Sequence, residues 1–346
     1  MTPLSLRVYY AIKPLLPRRL QLTLRKARIR RMLPSYVNVW PIYHEAGKTP
    51  EGWAGWPEQK KFALLLTHDV ESSKGRDRCE RVMEIEERFG FRSAFYFVPK
   101  NYAVPPELRS CLVKKGFEVG VHGLEHDGKL YNTKTEFQKK SIEINKYLRE
   151  WNSQGFSSPC MHHNLEWTGD LNIQYDISTY DTDPFEPQGG CIGTIFPFCV
   201  QGASNGHYYV EIPYTLPQDF TLFSLMRQTN IDIWVAKLDW IFKHGGMAHL
   251  KTHPDYFDFN NRNTHKEEYP VELYIKFLEY IKNKYAGQYW HVLPKDMVRF
   301  CFAGAMNGAT RTILQPSKIL CPTCRRLVKQ KRIMFFIPSG TGKQKP

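Results

Sequence analysis

From Phe62 onward, short apolar runs alternate with longer amphipathic stretches, and that alternation leaves few folds open. A strand is expected over 62–68, followed by a polar helix near 76–89 with Val82, Ile85 and Phe89 on one stripe and Gly90 as its stop. A strand over 92–98 comes next. Pro105-Pro106 opens a helix that ends at Gly116, and a strand over 117–121 leads towards a long helix near 134–151. Short strands are expected at 155–159 and 174–177, with β segments at 192–198 and 207–212. A helix near 231–243, a strand over 246–252, a helix over 270–285 and a strand over 288–292 close the series. Strand and helix alternating this often argue for an α/β protein with a parallel sheet, open or closed into a barrel. Chemistry in such folds collects at the C-terminal ends of the strands.

Two of those ends carry suitable groups. The first run finishes in Asp69-Val70-Glu71, and Phe117-Glu118-Val119-Gly120-Val121 runs into His122-Gly123-Leu124-Glu125-His126. Glu71 with His122 and His126 makes a three-ligand divalent metal site that leaves room for water. Gly123 lets the chain curl after the strand and bring both imidazoles together. Asp69 is then a spare carboxylate able to deprotonate a bound water. The second i, i+4 histidine pair, His249 and His253, is different. It falls on an expected strand, where four residues span roughly 13 Å, too far for one ion.

Charge is distributed unevenly. Residues 1–44 hold nine Lys/Arg and 297–346 hold ten, with no acid in either segment. The remaining 29 bases face all 34 acids, so the middle has a net charge of −5 against +14 for the whole chain. Basic ends suit an anionic surface, and no nucleic-acid-binding module accompanies them. The stretch 4–33 mixes Leu, Ile, Val and Tyr with seven bases from Arg18 to Arg31, a composition that fits a lipid headgroup region. The competing expectation is an arm packed on the body with its charges solvated. No apolar run reaches membrane-spanning length, and Arg7, Lys13 and Pro14 interrupt anything like a signal peptide. Eight cysteines without a paired framework read as reduced thiols, and Cys321-Pro322-Thr323-Cys324 is half a zinc knuckle without its partner. A cytoplasmic protein, peripheral at the membrane, is the expectation.

Over roughly residues 60–295 these motifs resemble the polysaccharide deacetylase family, the NodB-homology or carbohydrate esterase family 4 group. Thr67-His68-Asp69-Val70-Glu71 is similar to the acid–x–acid form of its first motif, which implies Asp69 as base and Glu71 as metal ligand. His122…His126 matches H-x-x-x-H, and Leu250-Lys251-Thr252-His253 matches L-x-x-H. The R-x-P motif is defective, reading Ser157-Ser158-Pro159, so the arginine that orients the base is absent and His162 or His163 is the expected substitute. The acidic fourth motif is matched loosely by Asp176 and by Asp181-Thr182-Asp183.

The resemblance implies a distorted (β/α) barrel over 60–296, preceded by an irregular basic arm over 1–59 and followed by a basic tail over 297–346. It also implies one divalent metal, Zn²⁺ first, and removal of N-acetyl groups from a sugar in a glycan or lipid-linked glycan precursor. Asp69 would take the water proton and His253 would protonate the departing amine, with Asp176 or Asp181 keeping His253 charged. Trp167, Tyr180, Phe185 and Trp290 are candidates for stacking on a sugar face or for simple core packing. Two alternatives differ in class. One keeps the metal but cleaves another small amide or a cyclic ureide; the other is a non-catalytic glycan-binding relative, against which Asp69 beside three intact ligands speaks.

Overall fold

The computed structural model describes residues 4–202, 207–260, 266–306, 312–314 and 333–335. Helices α1 (Leu4–Ile12) and α2 (Arg18–Met32) come first, joined by a tight turn at Lys13–Leu15. Then follow β1 (Phe62–Val70), the one-turn α3 (Ser73–Arg76), α4 (Cys79–Phe89), β2 (Ala94–Phe97), α5 (Pro106–Lys114), β3 (Glu118–His122) and α6 (Lys134–Glu150). The middle contains β4 (Gly155–Ser157), the short α7 (Leu165–Thr168), β5 (Tyr175–Asp176), β6 (Phe198–Gln201) and β7 (Tyr208–Glu211). The last part has α8 (Asp232–His244), β8 (Met247–Thr252), the small pair β9 (Phe257–Asp258) and β10 (Tyr269–Pro270), α9 (Glu272–Lys284), β11 (Tyr289–His291) and α10 (Pro294–Met306).

β1 is the hub. All nine of its residues are buried, because neighbours flank both of its edges and both of its faces are covered. β8 lies parallel along one edge, from Ala63↔Met247 to His68↔Thr252. The other edge is shared: β11 pairs with its first half (Phe62↔Tyr289) and β2 with its second (Thr67↔Ala94). Parallel pairing continues through β3, β4, β5 and β7. Beyond β7, Leu216 bridges in parallel to Leu250 of β8 and closes the ring. The result is a distorted (β/α) barrel, split where β11 and β2 share one edge of β1. β6 adds an antiparallel edge outside it, and the short strands 312–314 and 333–335 extend that edge.

Three segments differ from what the sequence suggests. The basic arm is not irregular: it begins with two helices, and Leu22 and Ile29 of α2 are buried. The strand expected over 192–198 starts only at Phe198. Ile195 instead accepts from the Met247 N–H and donates to Ala46, which spends its backbone groups on two different partners. The boundary expected at 297 falls inside α10, which buries Met297, Val298 and Cys301. Cys321 and Cys324 lie outside the described residues. No described helix is long and apolar enough to cross a membrane, and the six described cysteines are free thiols.

One buried acid ties the barrel together at the opposite end of β3 from the histidines. Glu118 accepts from the Tyr175 hydroxyl at 2.6 Å and from the Lys295 N–H at 3.1 Å. Burial pushes its carboxyl from 4.5 up to about 7, although both hydrogen bonds favour the charged form. A raised folded-state value means that this acid's contribution is fully present below about pH 4.5 and is lost as pH rises through 7. Glu118→Gln removes that titration. Thermal melts of both proteins from pH 4 to 8 should show the wild-type Tm falling more steeply than the variant's between pH 5 and 7.

Candidate active site

The candidate catalytic and metal-binding groups gather at the C-terminal mouth of the barrel. Asp69 and Glu71 leave β1 there, His122 ends β3, and His253 follows β8. Gly123, at φ +64°, turns the chain immediately after His122, and a Cβ there would lie 2.4 Å from the Pro159 ring. The loop curls without forming a helix and brings the His122 and His126 rings to 5.3 Å between centroids.

Glu71, His122 and His126 offer ligand atoms that lie within 4.8 Å of one another. His122 donates through Nδ1 to the Ser157 carbonyl at 3.0 Å, which fixes its tautomer and leaves the Nε2 lone pair facing inward. That Nε2 is buried and has no hydrogen-bond partner. Burial holds the imidazole near 4, so it is neutral. Glu71 accepts from the Tyr256 hydroxyl at 2.6 Å and lies 3.0 Å from His126 Nε2. Burial opposes a charge on His126, yet Glu71 raises it to about 10. A neutral imidazole with a free lone pair beside a half-buried carboxylate and a second imidazole fits a divalent cation, which would take over the charge that a proton on His126 otherwise supplies.

Asp69 is held by one oxygen. Its Oδ2 accepts from Lys251 Nζ at 2.9 Å and from the Ser157 hydroxyl at 3.1 Å, and Lys251 also donates to Ser157 Oγ at 2.8 Å. Oδ1 has no hydrogen-bond partner and stands 3.8 Å from His122 Nδ1. Burial disfavours the carboxylate, but His122, Lys251 and His253 together outweigh it and hold Asp69 at about 2. Lys251 thus occupies the place expected for His162 or His163. Those two lie elsewhere: His162 bonds the Gly128 carbonyl at 3.0 Å, and His163 bonds the Met161 carbonyl at 3.0 Å. Lys251 sits inside the L-x-x-H motif, two residues before His253, and the inward alternation of a strand was the available signal.

His253 donates through Nδ1 to Asp219 Oδ1 at 2.7 Å, and Asp219 Oδ2 accepts from the His253 N–H and the Tyr269 hydroxyl, both at 2.9 Å. Burial lowers the imidazole, but Asp219 more than compensates and His253 stands at about 9. Its Nε2 is 4.0 Å from Glu71 Oε1. The acid beside His253 is therefore Asp219, not Asp176 or Asp181. Asp176 bonds Ser178, and Asp181 pairs with Lys237 at 2.5 Å. Asp183 turns to Tyr214 at 3.1 Å. Tyr180, Trp167 and Phe185 are buried, the last two against Tyr131 and Trp40.

Asp69, Glu71, His122, His126 and His253 line a cavity of about 120 Å³, one wall of which comes from the arm: Tyr10, Lys13, Arg18 and Arg25. Arg18 is clamped to Glu267 by two bonds of 2.6 Å, while Arg25 lies over the Phe220 ring at 4.8 Å. No pattern in the sequence points to this contact, because it depends on how the arm folds back.

No protein-family profile matches the chain, and a search of curated proteins finds no significant match. Solved structures do match. A candidate polysaccharide deacetylase from Mycobacterium smegmatis superposes with a TM-score of 0.59 at 17% identity, over 78% of this chain and 99% of that one. A polysaccharide deacetylase assigned in Pseudomonas aeruginosa PAO1 gives 0.51 at 16% identity, over 70% and 92%. The chain has the polysaccharide deacetylase fold. An allantoinase shares it, with a TM-score of 0.57 at 16% identity over 76% and 98%.

Removing one partner of the Asp69–Lys251 pair strands a charge in the interior. Lys251→Met is expected to cost about 3–5 kcal/mol in urea unfolding, and the double variant Asp69→Asn/Lys251→Met to recover part of that loss.

Proposed function

We propose that this protein is a metal-dependent amide hydrolase that removes the N-acetyl group from an N-acetylated sugar. The observation that carries the reading is the pairing of two oppositely tuned groups, Asp69 and His253, across a three-ligand pocket. Glu71, His122 and His126 would hold one divalent ion, Zn²⁺ being favoured by two imidazoles and a carboxylate. Such an ion would supply Lewis acidity and water of lowered pKa.

The chain's own groups then divide the proton work. Asp69 Oδ1 accepts a proton from the attacking water, while Lys251 and Ser157 hold Oδ2 so that the free oxygen keeps its aim. His253, kept charged by Asp219, delivers a proton from Nε2 to the departing amine nitrogen. Lys251 meets the requirement that an arginine meets in the resembled motif: a fixed cation against the base. A point charge on a fully buried stem serves here because Ser157 supplies the second hydrogen bond.

A second reading keeps the site and changes the substrate to a small amide or cyclic ureide. The narrow pocket walled by α1 and α2 favours it over a long polymer lying across the mouth, and an allantoinase has this fold. Purified, Zn²⁺-loaded protein should release acetate from N-acetylated glycans or monosaccharides. Ring opening of ureides without acetate release would establish the second reading instead.

Asp69→Asn should abolish turnover while metal content, measured by plasma emission, stays near one per chain. His253→Ala should slow turnover by roughly 10²–10⁴-fold, also with metal retained.

pH profiles test the Asp219 role separately. His253 must be protonated to act, so the rate should fall as pH rises through about 9. Asp219→Asn removes the group that raises His253, and the alkaline limb should move to lower pH. An unmoved limb would exclude His253 as the acid.

A further inference from the structure

We infer that helices α1 and α2 form a docking surface for an anionic lipid bilayer and bring the mouth of the pocket to that surface. Among the described residues, eight large apolar side chains are exposed, and six of them lie in the arm: Val8, Ile12, Leu15, Leu20, Leu24 and Val37. Leu15, at the turn between the helices, is 82% exposed.

Their placement on the helices is systematic. At about 100° per residue, Val8 and Ile12 point roughly 160–200° away from Tyr10, the residue that α1 buries. On α2, Leu20 and Leu24 lie about 140–200° from the buried Leu22 and Ile29. Each helix therefore has an inner side and an apolar outer side. One packs on the barrel, anchored by Tyr10 against His162 and by Arg18 on Glu267. The other is left facing outward.

Charge selects the occupant. Arg19, Arg30 and Arg31 are exposed around the outward stripe, and no acid occurs in residues 1–44. A second copy of this surface would bring like charges together, whereas an anionic headgroup layer complements both the arginines and the apolar stripe. Because Tyr10 and Arg25 on the inner faces of the same helices, with Lys13 of the turn between them, wall the pocket, docking would present the site to a substrate carried at the lipid surface. The inference stands apart from the hydrolase reading, since binding to vesicles requires no turnover.

Vesicle flotation of the full chain tests it, with phosphatidylcholine alone against a 7:3 mixture with phosphatidylglycerol. The protein should float with the anionic vesicles and much less with the neutral ones. Leu15→Glu/Leu20→Glu/Leu24→Glu should lower the partition coefficient by roughly tenfold or more. Arg19→Gln/Arg30→Gln/Arg31→Gln should remove the preference for anionic lipid, and Ile142→Glu, at an exposed apolar site on α6, should float like the wild type. Equal flotation on both lipids, flotation unaffected by the leucine changes, or a dimer that those changes dissolve would overturn the inference.

Discussion

The site depends on a buried ion pair. Asp69 and Lys251 project into the barrel from neighbouring strands, β1 and β8, and Ser157 of β4 completes a three-membered contact across it. A lone carboxylate at that depth would be protonated; a lone ammonium would be neutral. His122, Lys251 and His253 together keep Asp69 ionised at about 2 despite full burial, and the bonds from Lys251 and Ser157 to Oδ2 leave the other oxygen uncommitted. A stabilising contact and the atom proposed as the base are thus the two ends of one carboxyl group.

The same logic separates the histidines. His249, His122 and His253 are all buried, and burial alone would make each of them neutral. His249 is bonded to Thr67 and the Pro213 carbonyl, and stands at about 3. His122 faces a carbonyl through Nδ1 and keeps a free lone pair on Nε2. His253 faces the Asp219 carboxylate and stays protonated. Three identical side chains thus become a core packing group, a candidate ligand and a candidate acid. The group bonded to Nδ1 separates the last two, and His249 is set apart by having both ring nitrogens hydrogen-bonded.

Strand–helix alternation, and with it the barrel, was legible in the sequence because burial on both faces writes itself as continuous apolar runs such as the one through β1. The placement of Asp69, Glu71 and His122 at one mouth was legible for the same reason, since each sits where an apolar run stops and parallel topology sends every such stop there; His126 follows in the loop after Gly123. His253 followed from its own strand.

What the sequence could not show depends on contacts between distant segments. Lys251 reaches Asp69 across 182 positions, and Asp219 reaches His253 from the N-cap of a π-helical turn at Phe220–Leu225. Strand alternation marks Lys251 as sharing a side with His253 but not its partner, and Asp219 has no periodicity that marks it. The arm is the clearest case. Composition determined that residues 1–44 would be basic and partly apolar, but helical phase and docking decided which face of α1 and α2 closes the pocket and which faces outward. Composition counts residues, whereas only tertiary packing assigns each of them a side.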